Sequence, residues 1–121
     1  MLEVPFDVTT AEREGLAIVA VAGELDCAAA PRLSAALAAW AEPGRVVLVD
    51  LWDVEFADCA GLSPLVAAAE HQRHIGGELI IDAGSGPAAK LIDWAQLDRV
   101  VTIVPNSPTR VNQWIPALSR V

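Results

Sequence analysis

Residues 46–51 read Val-Val-Leu-Val-Asp-Leu, and the chain then runs through Asp53, Val54 and Phe56 to Asp58, Cys59, Ala60, Gly61 and Leu62. An unbroken β-branched run of this kind fits a central strand whose faces are covered by other elements. The polar residues after it predict a short acidic loop, and the apolar spacing from Leu62 onward predicts a helix. The loop then lies where the carboxyl end of a buried strand meets the amino end of a helix, a place suited to recognition or chemistry in α/β folds.

Such a strand needs neighbours, and the flanking sequence supplies them. Residues 4–9 and 16–22 read as two short strands joined by the polar turn 11–15, an antiparallel hairpin. After Asp26, the residues Leu33, Ala36, Leu37 and Trp40 recur at helical spacing, with Pro31 tolerated in the first turn and a stop near Glu42, Pro43 and Gly44. The helix after the central strand turns Leu62, Leu65, Val66 and Ala69 inward and Glu70, Gln72, Arg73 and His74 outward, ending at Gly76 and Gly77. Pro64 is expected to delay its regular part to Leu62 or Ser63, which makes Ser63 a candidate cap.

Residues 78–83 form a further strand, the turn Gly84, Ser85, Gly86, Pro87 leads into a short helix with Leu91, Ile92 and Trp94, and residues 100–104 close the sheet. From about residue 109 to 120, Val111, Trp114, Ile115 and Leu118 form one helical stripe that Pro116 shortens. The order β, β, α, β, α, β, α, β, α describes one α/β domain over residues 1–121, with a core at about 5–104. It has a mainly parallel sheet, an opening antiparallel hairpin and packed helices. Its length suits a single core and leaves no room for a second domain.

Sixteen acidic against eight basic residues give a net charge of −8 with no Lys/Arg cluster, which argues against nucleic acid and against direct membrane binding. The same charge speeds encounter with a basic protein face, so a protein partner fits best. No apolar run reaches the roughly 20 residues of a membrane span and no basic residue precedes one near the amino end, so the chain is read as soluble and cytoplasmic.

The segment Gly23, Glu24, Leu25, Asp26, together with the run from Val46 to the turn Cys59, Ala60, Gly61, Leu62, resembles the STAS domains of bacterial anti-sigma factor antagonists. The similarity covers roughly residues 5–104. The resemblance implies binding to an anti-sigma factor that carries a histidine-kinase-like ATPase domain, with no catalysis and no cofactor. It makes Glu24, Asp26, Asp58, Cys59, Ala60 and Gly61 the partner-binding or loop-shaping positions. Where the family usually carries the serine that a cognate kinase phosphorylates, this chain has Cys59. Phosphorylation there would add about −1.5 to −2 charges at a helix amino end and break the complex. A thiol is not an ordinary acceptor for a serine kinase, so this chain is either permanently competent to bind or switched by other means. Ser63 does not match the motif's spacing. Monomer and dimer both remain open.

Right-handed crossovers bring Asp26 and Asp58 to one edge of the sheet, as ordinary loop aspartates satisfying local amides or as parts of a contact face. The same topology brings Cys27 toward Cys59. Two readings stand: reduced thiols filling space, or a redox pair. A bond needs Cα atoms within about 7 Å, and closing the loop would stabilise the fold by roughly 3 to 4 kcal/mol in the entropic account.

His71 and His74 beside Glu70 lack a third ligand and read as a solvated helix face, so no metal is expected. The turn at Gly84 has neither the Lys nor the spacing of a phosphate loop. Trp40, Trp94 and Trp114 are expected as core or half-buried anchors, and Trp52 as a loop residue of a contact surface. A cysteine phosphatase would carry an Arg where this chain has Leu65, and a phosphoreceiver would pair Asp50 or Asp53 with acidic residues after its first strand and a Lys after its last. Neither pattern is present. STAS domains also serve membrane transporters as subunits or modules, and the turn at Cys59 is compatible with that use.

Overall fold

The structure is a computed structural model that describes residues 5–104 and 110. Strand β1 (Asp7–Arg13) and strand β2 (Leu16–Leu25) form the antiparallel hairpin. Its turn is tighter than the sequence implies: Arg13 pairs with Leu16, leaving only Glu14 (φ 52°) and Gly15 (φ 85°) between the strands. Positive φ at both positions matches the right-handed twist of the flanking strands, and glycine makes it inexpensive at the second.

From β2 the chain makes three parallel crossovers, through helix α1 (Ala30–Ala39) to strand β3 (Val46–Ala57), through α2 (Cys59–His74) to β4 (Glu78–Asp82), and through α3 (Pro87–Trp94) and a 3-10 turn (Leu97–Arg99) to β5 (Thr102–Ile103). The sheet order is β1-β2-β3-β4-β5. Crossovers of one hand stepping in one direction put their helices on one face. Accordingly Leu33 and Leu37 of α1, Leu62, Leu65 and Ala69 of α2, and Ala88 and Ile92 of α3 share one core with Val47, Val49, Leu51 and Val54 of β3. The expected ninth element, the helix at about 109–120 with Val111, Trp114, Ile115 and Leu118, lies outside the described residues.

Residues 53–57 are not the acidic loop the sequence predicts but the second half of β3, which is 12 residues long. Against β2 its register slips twice, so that Ala20 faces Asp50, Ala22 faces Asp53, Gly23 faces Val54 and Glu24 faces Phe56. Each slip is a bulge that inserts one extra residue into β3. That is why Leu51 and Val54, three apart, both face the helices.

On the opposite face Ile18, Leu48 and Asp50 are also buried. Asp50 is fully buried, and its Oδ1 accepts from the Trp52 amide at 3.0 Å. Its Oδ2 accepts from Arg110 Nε at 2.7 Å, while Arg110 Nη2 reaches Asp53 at 2.7 Å. The hydrogen bond that Arg110 donates to Asp50 raises the Arg110 pKa above its ordinary value, so the buried carboxylate has a permanent counter-charge.

Three side chains depart from expectation. Gln72 is buried, not solvated: its Nε2 donates to the carbonyls of Glu42 and Arg45, both at 2.8 Å, and ties α2 to the loop before β3. Trp94 is 78% exposed rather than an anchor, standing at the end of α3. Trp52 belongs to β3, half-buried, with its ring over Gly84.

Candidate functional site

The two bulges have a consequence at the carboxyl edge of the sheet. Ala17 pairs with Val47, but by the strand ends Leu25 pairs with Ala57, so the register offset has grown from thirty residues to thirty-two. That offset aligns Asp26, Cys27, Ala28 with Asp58, Cys59, Ala60, and the same tripeptide therefore leaves two adjacent parallel strands side by side.

Each aspartate does the same local work. Asp58 is the N-cap of α2, and its Oδ1 accepts from the Gly61 amide at 2.8 Å. Asp26 Oδ1 accepts from the Ala29 amide at 3.0 Å, while its carbonyl accepts from Ala29 and Ala30. A short polar side chain that accepts from an amide three residues on satisfies a donor that the first turn cannot. Capping by Asp58 also lets α2 begin at Cys59 despite Pro64, so the expected late start and a cap at Ser63 are both replaced. Pro64 forfeits the bond to Ala60, and the helix proceeds through it.

The two exits touch. The Asp58 amide donates to the Leu25 carbonyl at 3.2 Å. Gly61 is buried there, and a Cβ on it would overlap the Leu25 carbonyl and lie 2.9 Å from the Asp26 nitrogen. Gly61 thus shapes the site without presenting a side chain.

Cys27, Ala28, Cys59 and Ala60 are all exposed, and both cysteines are free thiols that fill no interior space. Toward the strand ends Phe56 is 49% exposed and Glu55 is exposed, while Glu24, Asp26 and Asp58 are half-buried. Glu24 and Asp26 line a small hollow with Pro5, Phe6 and Arg32, where Arg32 donates to the Phe6 carbonyl at 3.2 Å and stacks 5.0 Å from its ring. The edge therefore carries several carboxylates together with small exposed side chains and one exposed aromatic.

Phe56, quoted in the run after the central strand but not among the candidate site positions, and Glu55 are both exposed, because the bulge between Val54 and Phe56 breaks the alternation along β3. His71 and His74 lie exposed in the last turns of α2, and among the described residues no group of three His, Cys, Asp or Glu side chains is gathered as a metal site requires. No helix among the described residues is long and apolar enough to cross a membrane.

Comparison with known proteins decides the family. The STAS domain model matches residues 7–109. The chain belongs to the STAS domain family. This STAS domain is similar to an anti-sigma factor antagonist from Mycobacterium paratuberculosis, 26% identical, with a TM-score of 0.72 over 99% of this chain and 100% of that one. It shares its fold with the Bacillus antagonist SpoIIAA, known in unphosphorylated and phosphorylated forms. The unphosphorylated form is 16% identical, with a TM-score of 0.63 over 97% of this chain and 98% of that one. The fold also recurs in the murine anion transporter Slc26a9, 15% identical with a TM-score of 0.62, where 80% of this chain covers 17% of the transporter. No curated protein matches the sequence itself.

Proposed function

We propose that this STAS domain is a cytoplasmic anti-sigma factor antagonist, regulating transcription by binding an anti-sigma factor that has a histidine-kinase-like ATPase domain. The observation that carries the reading is the exposed start of α2. Asp58, Cys59 and Ala60 stand beside Asp26, Cys27 and Ala28 on one acidic edge, at the place where the family resemblance puts the phosphoacceptor. The end-to-end likeness to the mycobacterial antagonist supports it further. In this reading Glu24, Asp26, Asp58, Cys59 and Ala60 meet the partner, Gly61 shapes the loop, and no residue is catalytic. With a thiol at position 59, the chain stays competent to bind under conditions in which a serine-bearing relative would be phosphorylated and released.

The test is binding of the purified domain to each ATPase-type anti-sigma factor of the source organism. Native protein is expected to bind one of them, and Cys59→Asp, which places a carboxylate at the first position of α2, is expected to bind at least about tenfold more weakly. Cys59→Ser is expected to bind and, with ATP present, to become a phosphoacceptor. Absence of binding to every candidate would overturn the reading in favour of a transporter partner, the alternative that the Slc26a9 fold likeness keeps in view.

A further inference from the structure

Cys27, in the turn after β2, and Cys59, the first residue of α2, each directly follow an aspartate that accepts from the amide three residues on. Parallel strands lie about 4.8 Å apart, and a disulfide needs Cα atoms about 4.4 to 6.8 Å apart. The last ladder pair, Leu25 and Ala57, lies two residues before the cysteines on both strands. Past that pair the chains do not separate at once, because Asp58 donates to the Leu25 carbonyl and Gly61 brings the first turn of α2 against Leu25 and Asp26. Both thiols are free and exposed, so neither sulfur is held in the core. The alignment is produced by the two β3 bulges, since a straight ladder would keep the offset of thirty and put Ala57 opposite Cys27.

We propose that Cys27 and Cys59 form a redox-switched dithiol, oxidised by a low-molecular-weight disulfide to an intramolecular bond that closes the partner-binding edge. Its regulatory half rests on the binding function proposed above; its chemistry does not. One cysteine, as thiolate, attacks the external disulfide, forming a mixed disulfide and releasing one thiol. The second, as thiolate, attacks the protein-bound sulfur, closing the bridge and releasing the second thiol. The two protons lost by the cysteines go to the two leaving thiolates, so the protein is oxidised by two electrons and the external disulfide is reduced to two thiols. The bridge joins the exposed segments 27–28 and 59–60 within the proposed partner-binding edge, and it removes both thiols from the contact. It would thus supply by oxidation the release that the absent serine cannot supply by phosphorylation.

The experiment equilibrates native protein, Cys27→Ser and Cys59→Ser with glutathione buffers from fully reduced to fully oxidised, followed by intact mass and peptide mapping. Native monomer is expected to lose both free thiols and the mass of two hydrogen atoms, with a peptide joining residues 27 and 59. The serine variants are expected to stop at a single glutathione adduct. Native protein that stays reduced, stops at adducts or bridges only between molecules would overturn the dithiol, whatever its partner. In the second arm the bridged and reduced forms are compared for binding to the anti-sigma factor, with a loss of at least about tenfold expected on bridging. Equal binding by both forms would overturn the regulatory half. A bridge that forms in a protein binding no anti-sigma factor in either state would uphold the dithiol and overturn the partner assignment.

Discussion

Residues 25–28 read Leu-Asp-Cys-Ala and residues 57–60 read Ala-Asp-Cys-Ala, in register on adjacent strands, yet the chain leaves the two places differently. After Asp26 it makes a turn through Cys27, Ala28 and Ala29, and α1 begins only at Ala30, with no side chain capping the helix itself. After Asp58, α2 begins at once. The difference lies three residues past each aspartate. Ala29 buries its methyl group in the core beside Leu25 and Leu33, whereas Gly61 has no side chain and rests against the backbone of the first exit. In both exits the aspartate accepts from the amide three residues on, and the residue that carries that amide decides which exit is fixed to the core and which is fixed to its neighbour.

Breaking that contact is expected to have the largest effect. Gly61→Ala forces a methyl group into the Leu25 carbonyl, so the start of α2 must move and the Asp58 to Leu25 bond lengthens. Overpacking of this kind costs about 3 kcal/mol. Ala29→Gly removes a buried methyl group and adds backbone freedom, about 1.5 kcal/mol. Urea denaturation of both variants measures the contrast. A Gly61→Ala variant as stable as the native chain would show that the two exits are not in the close contact described.

The two aspartates sharpen the comparison. The buried Gly61 amide has the Asp58 carboxylate as its acceptor, whereas the Ala29 amide donates both to the Asp26 carboxylate at 3.0 Å and to the Asp26 carbonyl at 3.1 Å. Asp58→Ala therefore leaves a donor without a partner and is expected to cost about 1.5 kcal/mol. Asp26→Ala leaves one bond in place and is expected to cost about 0.5 kcal/mol. Equal losses would mean that the carbonyl contact at Ala29 carries no weight. Amide exchange at Gly61, faster in Asp58→Ala, separates a lost cap from a general loosening.

Most of this arrangement is legible in the amino-acid sequence. Strand and helix order, the hairpin, and the meeting of Asp26 with Asp58 follow from apolar periodicity and from the hand of parallel crossovers. The features that are not legible depend on contacts distant in sequence. Residues 53–57 read as a loop because two bulges break the alternation that identifies a strand, and those bulges are set by pairing with β2. Gln72 reads as solvated because its acceptors, the carbonyls of Glu42 and Arg45, belong to a loop thirty and twenty-seven residues away. Asp50 stands in an otherwise apolar run, a signal that a cation must reach it, but nothing local points to Arg110, sixty residues on.

The smallest expected effect belongs to the cysteines, and it tests whether the exits are alike where they face solvent. Both thiols are exposed and neither belongs to the core. Exchanging sulfur for oxygen there removes little buried apolar surface, so Cys27→Ser and Cys59→Ser are each expected to change stability by less than about 0.5 kcal/mol under reducing conditions. Position 59 is the first residue of α2, where serine and cysteine differ little in helix propensity, and position 27 lies in a turn that serine adopts readily. Thermal denaturation with excess reductant gives the comparison, and repeating it in glutathione disulfide adds the bridge to the native chain alone. A native chain that gains stability on oxidation, beside two variants that do not, would show that the exits are held close enough to be joined. A Cys59→Ser loss well above that of Cys27→Ser in reductant would instead show that the thiol at the start of α2 packs against its surroundings, and that the likeness of the two exits ends at their aspartates.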